Sequence, residues 1–226
     1  PEALSNDPFI QQVVADVEAM EQEQPAVLAP PQAKPKREHI TFEPLYPGIP
    51  KEQRHNFQID DPELGYGTPR EKYAANVAAI QCLKQIESES RLATPEEQKI
   101  LSQYVGWGGL SHWFDDRHPK YQELKDLLDT DEYNAARESS LTAFYTSPVI
   151  IQAMYQALQN MGFKEGNILE PSCGVGNFLG MIPDSMAGSK TYGVELDSIS
   201  GRIAQQLYQN SSIAVTGFEK VQMPDS

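Results

Sequence analysis

The sequence predicts an α/β fold with a parallel sheet, preceded by an α-helical region, and three observations carry that reading. Across 167–177 a short apolar run (Ile168, Leu169) ends in an acid, Glu170, and passes into a loop of small residues with glycines at 174 and 176. Apolar residues return over 178–182, so the stretch reads as a strand, a tight turn and the start of a helix. Strand patterns over 190–196 and 212–216 follow, with helical periodicity over 197–210 between them, and this alternation builds parallel sheets. Upstream, Thr68-Pro69-Arg70-Glu71 and Thr94-Pro95-Glu96-Glu97 are both capping boxes with proline at the first helical position.

A chain of 226 residues has room for one domain of ordinary size plus a tail. Its net charge of -14 is spread throughout: 5 bases against 10 acids to residue 60, 9 against 15 over 61–140, and 4 against 7 thereafter. No segment is basic, so the charge pattern offers no electrostatic footprint for a phosphate backbone. No run of eighteen apolar residues exists, which excludes a membrane-spanning helix. Two cysteines, Cys82 and Cys173, are too few for a disulfide framework or a zinc site and fit a reducing cytoplasm. The chain opens at Pro1 rather than at methionine, and it reads as a piece of something longer.

Three regions follow in order. Residues 1–60 hold nine of the seventeen prolines. A helix is expected over 7–23, capped by Asp7 with Pro8 first and Ile10, Val13, Val14, Val17 and Met20 on one face. An extended linker is expected over 24–50. Residues 61–140 form the helical region. Tyr73, Val77, Ile80 and Leu83 line its first helix, with Cys82 beside them as a small core residue. Ile100, Leu101, Tyr104 and Val105 line its second, which stops at Gly106. In the glycine-bearing loop after it, Trp107 and Trp113 either pin the loop onto the helices, the favoured reading, or stack on a base or an adenine ring. His112 and His118 lack ligand partners at metal spacing, and short helices are expected over 119–128 and 131–139. Residues 141–226 carry the sheet. Its opening helix starts at Thr146-Ser147-Pro148 with Thr146 as cap, and Ile150, Ile151, Met154, Leu158 and Met161 repeat at helical spacing up to Gly162.

Glycines at a strand-to-helix turn let the backbone approach a ligand. Glu195, ending the second strand about twenty residues on, stands where such acids reach ribose hydroxyls. A dinucleotide fold is the alternative, but the third glycine, Gly180, is displaced by one from Gly-x-Gly-x-x-Gly. Glu170 would also set like charge beside a pyrophosphate. A cationic ligand suits it better.

Glu170-Pro171-Ser172-Cys173-Gly174-Val175-Gly176-Asn177-Phe178 resembles the S-adenosylmethionine loop of amino (N6-adenine) DNA methyltransferases. Phe144-Tyr145-Thr146-Ser147-Pro148-Val149 resembles the aromatic-Thr-Pro segment these enzymes place before that loop, to close over the methionine moiety. With Tyr104-Val105-Gly106-Trp107-Gly108-Gly109-Leu110 upstream, the order resembles the methylase region of the large methylase-helicase proteins of conjugative elements and phages, from about residue 57 onward.

The resemblance implies a partial Rossmann-like, class I methyltransferase fold. Glu170 would face the methionine end of the cofactor, Gly174 and Gly176 would pass close under it, and Glu195, beside Leu196, would bind the ribose. Amides at the start of the helix after Thr146 would meet the methionine carboxylate. The partner implied is DNA, through the parent protein.

Two departures stand against the pattern. Gly217 is followed by Phe218 and Glu219 where the family commonly has Gly-Asp, so Phe218 is expected to pack on the adenine and Glu219 to lie near its edge. The Asn/Asp-Pro-Pro-aromatic motif that holds the target amine does not occur in these 226 residues. The expectation is therefore the cofactor half of a methyltransferase domain, without catalytic residues of its own. Its unfinished sheet would leave an edge open to self-association.

Overall fold

The computed structural model describes residues 40–141 and 143–222, so the helix expected over 7–23 and the linker before residue 40 lie outside the described residues. Both capping boxes form. Thr68 caps α1, Pro69–Ser88, its hydroxyl accepting from the Glu71 amide while the Glu71 carboxylate accepts from the Thr68 amide. Thr94 and Glu97 repeat this at α2, Pro95–Leu101. A cap contributes about 1 kcal/mol. Each of the fully buried Ile80, Leu83 and Ile86 contributes roughly 1.5–3 kcal/mol, so burial rather than capping fixes α1. The second helix is shorter than its pattern. The chain leaves it at Ser102, which turns Tyr104 and Trp107 into the core and leaves Ile100 exposed.

Trp107 and Trp113 are buried and pin their loop: Trp113 stacks on Tyr73 at 3.9 Å between centroids, and Trp107 meets Phe114 edge-on at 5.2 Å. Next come α3, Tyr121–Leu127, and α4, Thr130–Ser139, the latter opened by a capping box from Asp129. Then follow α5, Pro148–Asn160, β1, Asn167–Glu170, β2, Lys190–Glu195, α6, Ser198–Leu207, and β3, Ser212–Val215. The architecture is mixed α/β, with six α-helices and a three-stranded sheet among the described residues.

The strands run parallel in the order β1-β2-β3, with Glu170 opposite Gly193 and Glu195 opposite Val215. Both acids therefore stand at carboxyl ends of neighbouring strands. Ile199, Ile203 and Leu207, the expected stripe of α6, are buried in one core with Ile80, Leu83, Leu101 and Trp107 from the helical region. The helical layer and the sheet share that core.

Four further expectations need correction. No α-helix forms between β1 and β2; 178–186 make two 3-10 turns, Leu179–Met181 and Asp184–Met186. Gly180 weakens a helix there, and Pro183 forces Ile182 to an extended ψ of 122°. In α5 the buried residues are Pro148, Ile151 and Tyr155, whereas Ile150, Met154, Leu158 and Met161 are exposed. Ile151 and Tyr155 pack with Met186, Phe178 and Met181, so the helix docks on those turns through a neighbouring stripe. Its N-cap is Ser147 rather than Thr146, with no side-chain bond closing it.

Finally, 40–50 is no free linker. Ile40 pairs with Val221, and the Arg54 guanidinium, itself buried, donates to the carbonyls of Leu45, Tyr46, Ile49 and Gln209 at 2.6–3.0 Å. A buried guanidinium needs such acceptors, and they fasten the strap to the end of α6. Among the described residues, no helix is long and apolar enough to cross a membrane.

Candidate functional site

The loop after β1 is held by β2. Cys173 N–H donates to Val194 O at 2.9 Å, and Gly176 N–H to Cys173 O at 2.7 Å, which closes the turn. Gly174 N–H donates to Glu195 Oε2 at 2.7 Å, while Glu195 Oε1 accepts from Asp197 N–H at 2.8 Å. One carboxylate thus ties the glycine loop to the start of α6. Gly174 and Gly176 take φ of +55° and +83°, a region L side chains rarely adopt.

What the two glycines face is protein. A β-carbon at Gly174 would stand 2.5 Å from the Tyr145 ring, and one at Gly176 would run into the ring of Tyr208. Tyr145 also meets Gly106, where a β-carbon would lie 3.2 Å from its hydroxyl. That hydroxyl bonds Ser200 Oγ at 2.8 Å, and Ser200 is fixed in turn by Asp197 Oδ1. Gly108 lies so close to the Ala143 carbonyl that a β-carbon would overlap it. The buried amide of Asn76 holds the turn before it, accepting from Val105 N–H at 2.9 Å and donating to Gly106 O at 2.6 Å. The Gly106-Trp107-Gly108 loop, the Phe144-Tyr145 segment and the Gly174 loop are therefore stacked in that order.

Glu170 is the unsatisfied group. Its Oε2 is buried with no hydrogen-bond partner, and burial first, then the Glu195 carboxylate, push its pKa up to about 8. Tyr208, buried under the loop, has an unpartnered hydroxyl as well, held protonated by burial and then by the charge of Glu170. Burial, followed by the charges of Glu170 and Glu195, also raises the Cys173 thiol far above its ordinary value, so no thiolate nucleophile forms there.

The other expected site residues are placed as follows. Thr146 and Asn177 line one pocket. Phe178 is half-buried, its carbonyl accepting from the Tyr155 hydroxyl at 2.8 Å. Pro171 and Ser172 are exposed on the loop. Leu196 and Phe218 are exposed apolar side chains just past the carboxyl ends of β2 and β3, 76% and 48% accessible. A β-carbon at Gly217 would crowd the Glu219 carboxylate, so that turn folds onto its own acid.

Sequence reasoning missed Tyr208, Ser200 and Asn76. Asn76 had a signal, a polar residue three after Tyr73 and four before Ile80 on an otherwise apolar stripe. Tyr208 had none. Two carboxylates thus end adjacent strands, and the Oε2 of one of them, Glu170, is buried without a hydrogen-bond partner.

No protein-family model matches the chain, and no solved structure matches it. The chain is similar to defense against restriction protein B of Escherichia phage P1, 27% identical over 157 residues. That alignment covers 70% of this chain and 6% of the phage protein. The chain spans only a small part of that relative's length.

Proposed function

We propose that residues 143–218 form the S-adenosylmethionine-binding part of a DNA methyltransferase acting on the N6 amine of adenine, built on a Rossmann-like, class I sheet. The observation that carries it is the buried, unpartnered Glu170 Oε2 beside Glu195. Such a carboxylate is stabilised by an ammonium or sulfonium and repelled by a pyrophosphate, which disfavours the dinucleotide alternative. When bound, S-adenosylmethionine supplies an electrophilic methyl group on a sulfonium, together with an α-ammonium.

Each residue then has a task. Glu170 meets the cationic methionine end, and Glu195 keeps the loop amide in place while its remaining lone pairs accept from ribose hydroxyls. Leu196 and Phe218 offer exposed apolar surface for an adenine ring. The start of α5, which no side chain caps, leaves the Val149 amide for a carboxylate, since Pro148 has no N–H and the Ile150 and Ile151 amides donate to Ser147 O. Tyr145 supports Gly174 rather than covering a ligand with its hydroxyl. The 226 residues hold no Asn/Asp-Pro-Pro-aromatic motif to align an acceptor amine, so binding rather than turnover is the role given to this chain.

DNA as partner and a cytoplasmic setting belong to the methyltransferase reading itself. Similarity to a phage protein named for defense against restriction fits a mobile-element setting. It equally favours a second reading, a non-catalytic module that binds S-adenosylmethionine or DNA. Calorimetric titration with S-adenosylmethionine, S-adenosylhomocysteine and NAD tests the shared core of both. Saturable binding of the first two, inert NAD, and a loss of roughly tenfold or more in Glu195→Ala are expected, since a hydrogen-bonded carboxylate is removed. Equal binding of NAD, or an unaltered Glu195→Ala, would refute the assignment.

A further inference from the structure

Ser200, in the first turn of α6, is 4% exposed and stands where the Tyr145 segment meets the end of β2. Its hydroxyl lies 2.6 Å from Asp197 Oδ1 and 2.8 Å from the Tyr145 hydroxyl. A serine has one proton to give, and a carboxylate can only accept. Ser200 therefore donates to Asp197, and Tyr145, which burial holds protonated, donates to Ser200. Both bonds have a fixed direction.

From Asp197 the connection runs on towards the ligand side. Asp197 N–H donates to Glu195 Oε1 at 2.8 Å, and Glu195 Oε2 accepts from Gly174 N–H at 2.7 Å. Gly174 in turn lies against the Tyr145 ring, which would stand 2.5 Å from a β-carbon there. Starting from Tyr145 and passing through Ser200, Asp197, Glu195 and Gly174, the contacts thus return to Tyr145. Glu195 has a further support behind it. Gly201 follows Ser200, and a β-carbon on it would lie 3.3 Å from Glu195 Cβ, so α6 approaches the strand end closely. Hydrogen bonds weaken steeply as they bend, so a carboxylate held at this many points offers its remaining lone pairs in one direction.

We propose that Ser200 is a positioning residue of the methyl-donor site, acting through the Tyr145 hydroxyl and Asp197 to aim Glu195 at a ribose diol, so that the site separates ribonucleoside from 2′-deoxyribonucleoside ligands. The inference rests on the cofactor reading above and deepens it. Ser200 itself touches no ligand. Its effect falls on the ribose end and leaves the methionine end, where Glu170 stands outside this circuit, unaltered.

The test is calorimetric titration of the full 226-residue chain with S-adenosylhomocysteine and with its 2′-deoxy analogue. The wild type should prefer the first roughly tenfold or more, the worth of a hydrogen bond to a charged acceptor. Ser200→Ala and Tyr145→Phe should each cut that preference about threefold or more, while affinity for the 2′-deoxy analogue moves by less than about twofold. Tyr145→Phe keeps the ring against Gly174 and removes only the bond. Because both variants break the same bond, the double variant should lose no more than either alone. Ser140→Ala removes a similarly buried hydroxyl, bonded to Arg137 O, and should leave the preference intact. A wild type without the preference, a preference that survives both substitutions, equal losses for the two ligands, or additive losses in the double variant would overturn the role of Ser200 and leave the cofactor site standing. A folded wild type that binds neither ligand would sink the cofactor reading and this inference with it.

Discussion

At the scale of single residues, Glu170 is where sequence and electrostatics converge. The sequence marks it as an acid ending a strand before a glycine loop; its burial, and Glu195 one strand over, come only from the register of β1 on β2. Its ionisation should be visible in two experiments of opposite sign. The folded pKa, about 8, exceeds the ordinary value of 4.5, so the folded chain binds the proton more tightly than the unfolded chain. The resulting stabilisation is complete below about pH 4.5 and is lost as pH rises through about 8. Glu170→Gln should therefore gain stability relative to the wild type across that window, as read by thermal melts at several pH values. A cationic ligand requires the ionised form, so its binding should release a proton and tighten as pH climbs towards about 8. Calorimetry in two buffers of different ionisation enthalpy measures that proton, and Glu170→Gln should abolish its release. Cofactor affinity that ignores pH would remove Glu170 from contact with the cation.

At the scale of elements, local chemistry was legible and orientation was not. Capping boxes, strand runs and the stripe of α6 depend on neighbours within a few residues, and all formed where the sequence placed them. The apolar residues of α5 fit helical spacing equally well, yet only Ile151 of the expected set is buried, because spacing does not say which adjoining stripe docks. The glycine loop has the same character. Its location was readable, but Tyr145 and Tyr208, which occupy the space beside Gly174 and Gly176, pack there from 29 and 32 residues away by sequence number. Two glycines separate the causes. Gly109 has φ +76° with open space around its β-carbon position, so Gly109→Ala should cost only the left-handed backbone penalty, about 1–2 kcal/mol. Gly174→Ala adds a 2.5 Å encounter with the Tyr145 ring and should cost about 2 kcal/mol more. Denaturant unfolding of both variants, with Gly174→Ala repeated on Tyr145→Ala, should recover much of that excess. Equal costs at the two sites would mean Tyr145 yields freely and does not fix the loop.

At the scale of the whole molecule, the helical region and the sheet are tied by charge as well as by their common core. Glu132 of α4 is 3% exposed at its side chain. It accepts from Lys84 of α1 at 2.7 Å and from both terminal nitrogens of Arg202 of α6 at 2.8 and 2.9 Å. Arg202 also pairs with Glu87 at 3.0 Å. No reading of the sequence could join these residues, since the partners lie 48 and 70 positions apart and each sits in an ordinary amphipathic helix. Burial raises the Glu132 pKa, but the bonds from Lys84, from the Asp129 turn and from Arg202 outweigh it, so the net shift is downward. The stabilisation is therefore present above the ordinary carboxylate value and is lost as pH falls through the lowered one. Because Lys84 and Arg202 are themselves about one-third exposed, water compensates part of their loss. Glu132→Gln should then destabilise by about 2 kcal/mol near neutral pH, below the cost of breaking a fully buried pair. Urea unfolding at neutral pH and again near pH 3 decides the matter: the gap between variant and wild type should shrink in acid. A gap that persisted there would assign the role of Glu132 to packing and the α4 capping box rather than to its charge.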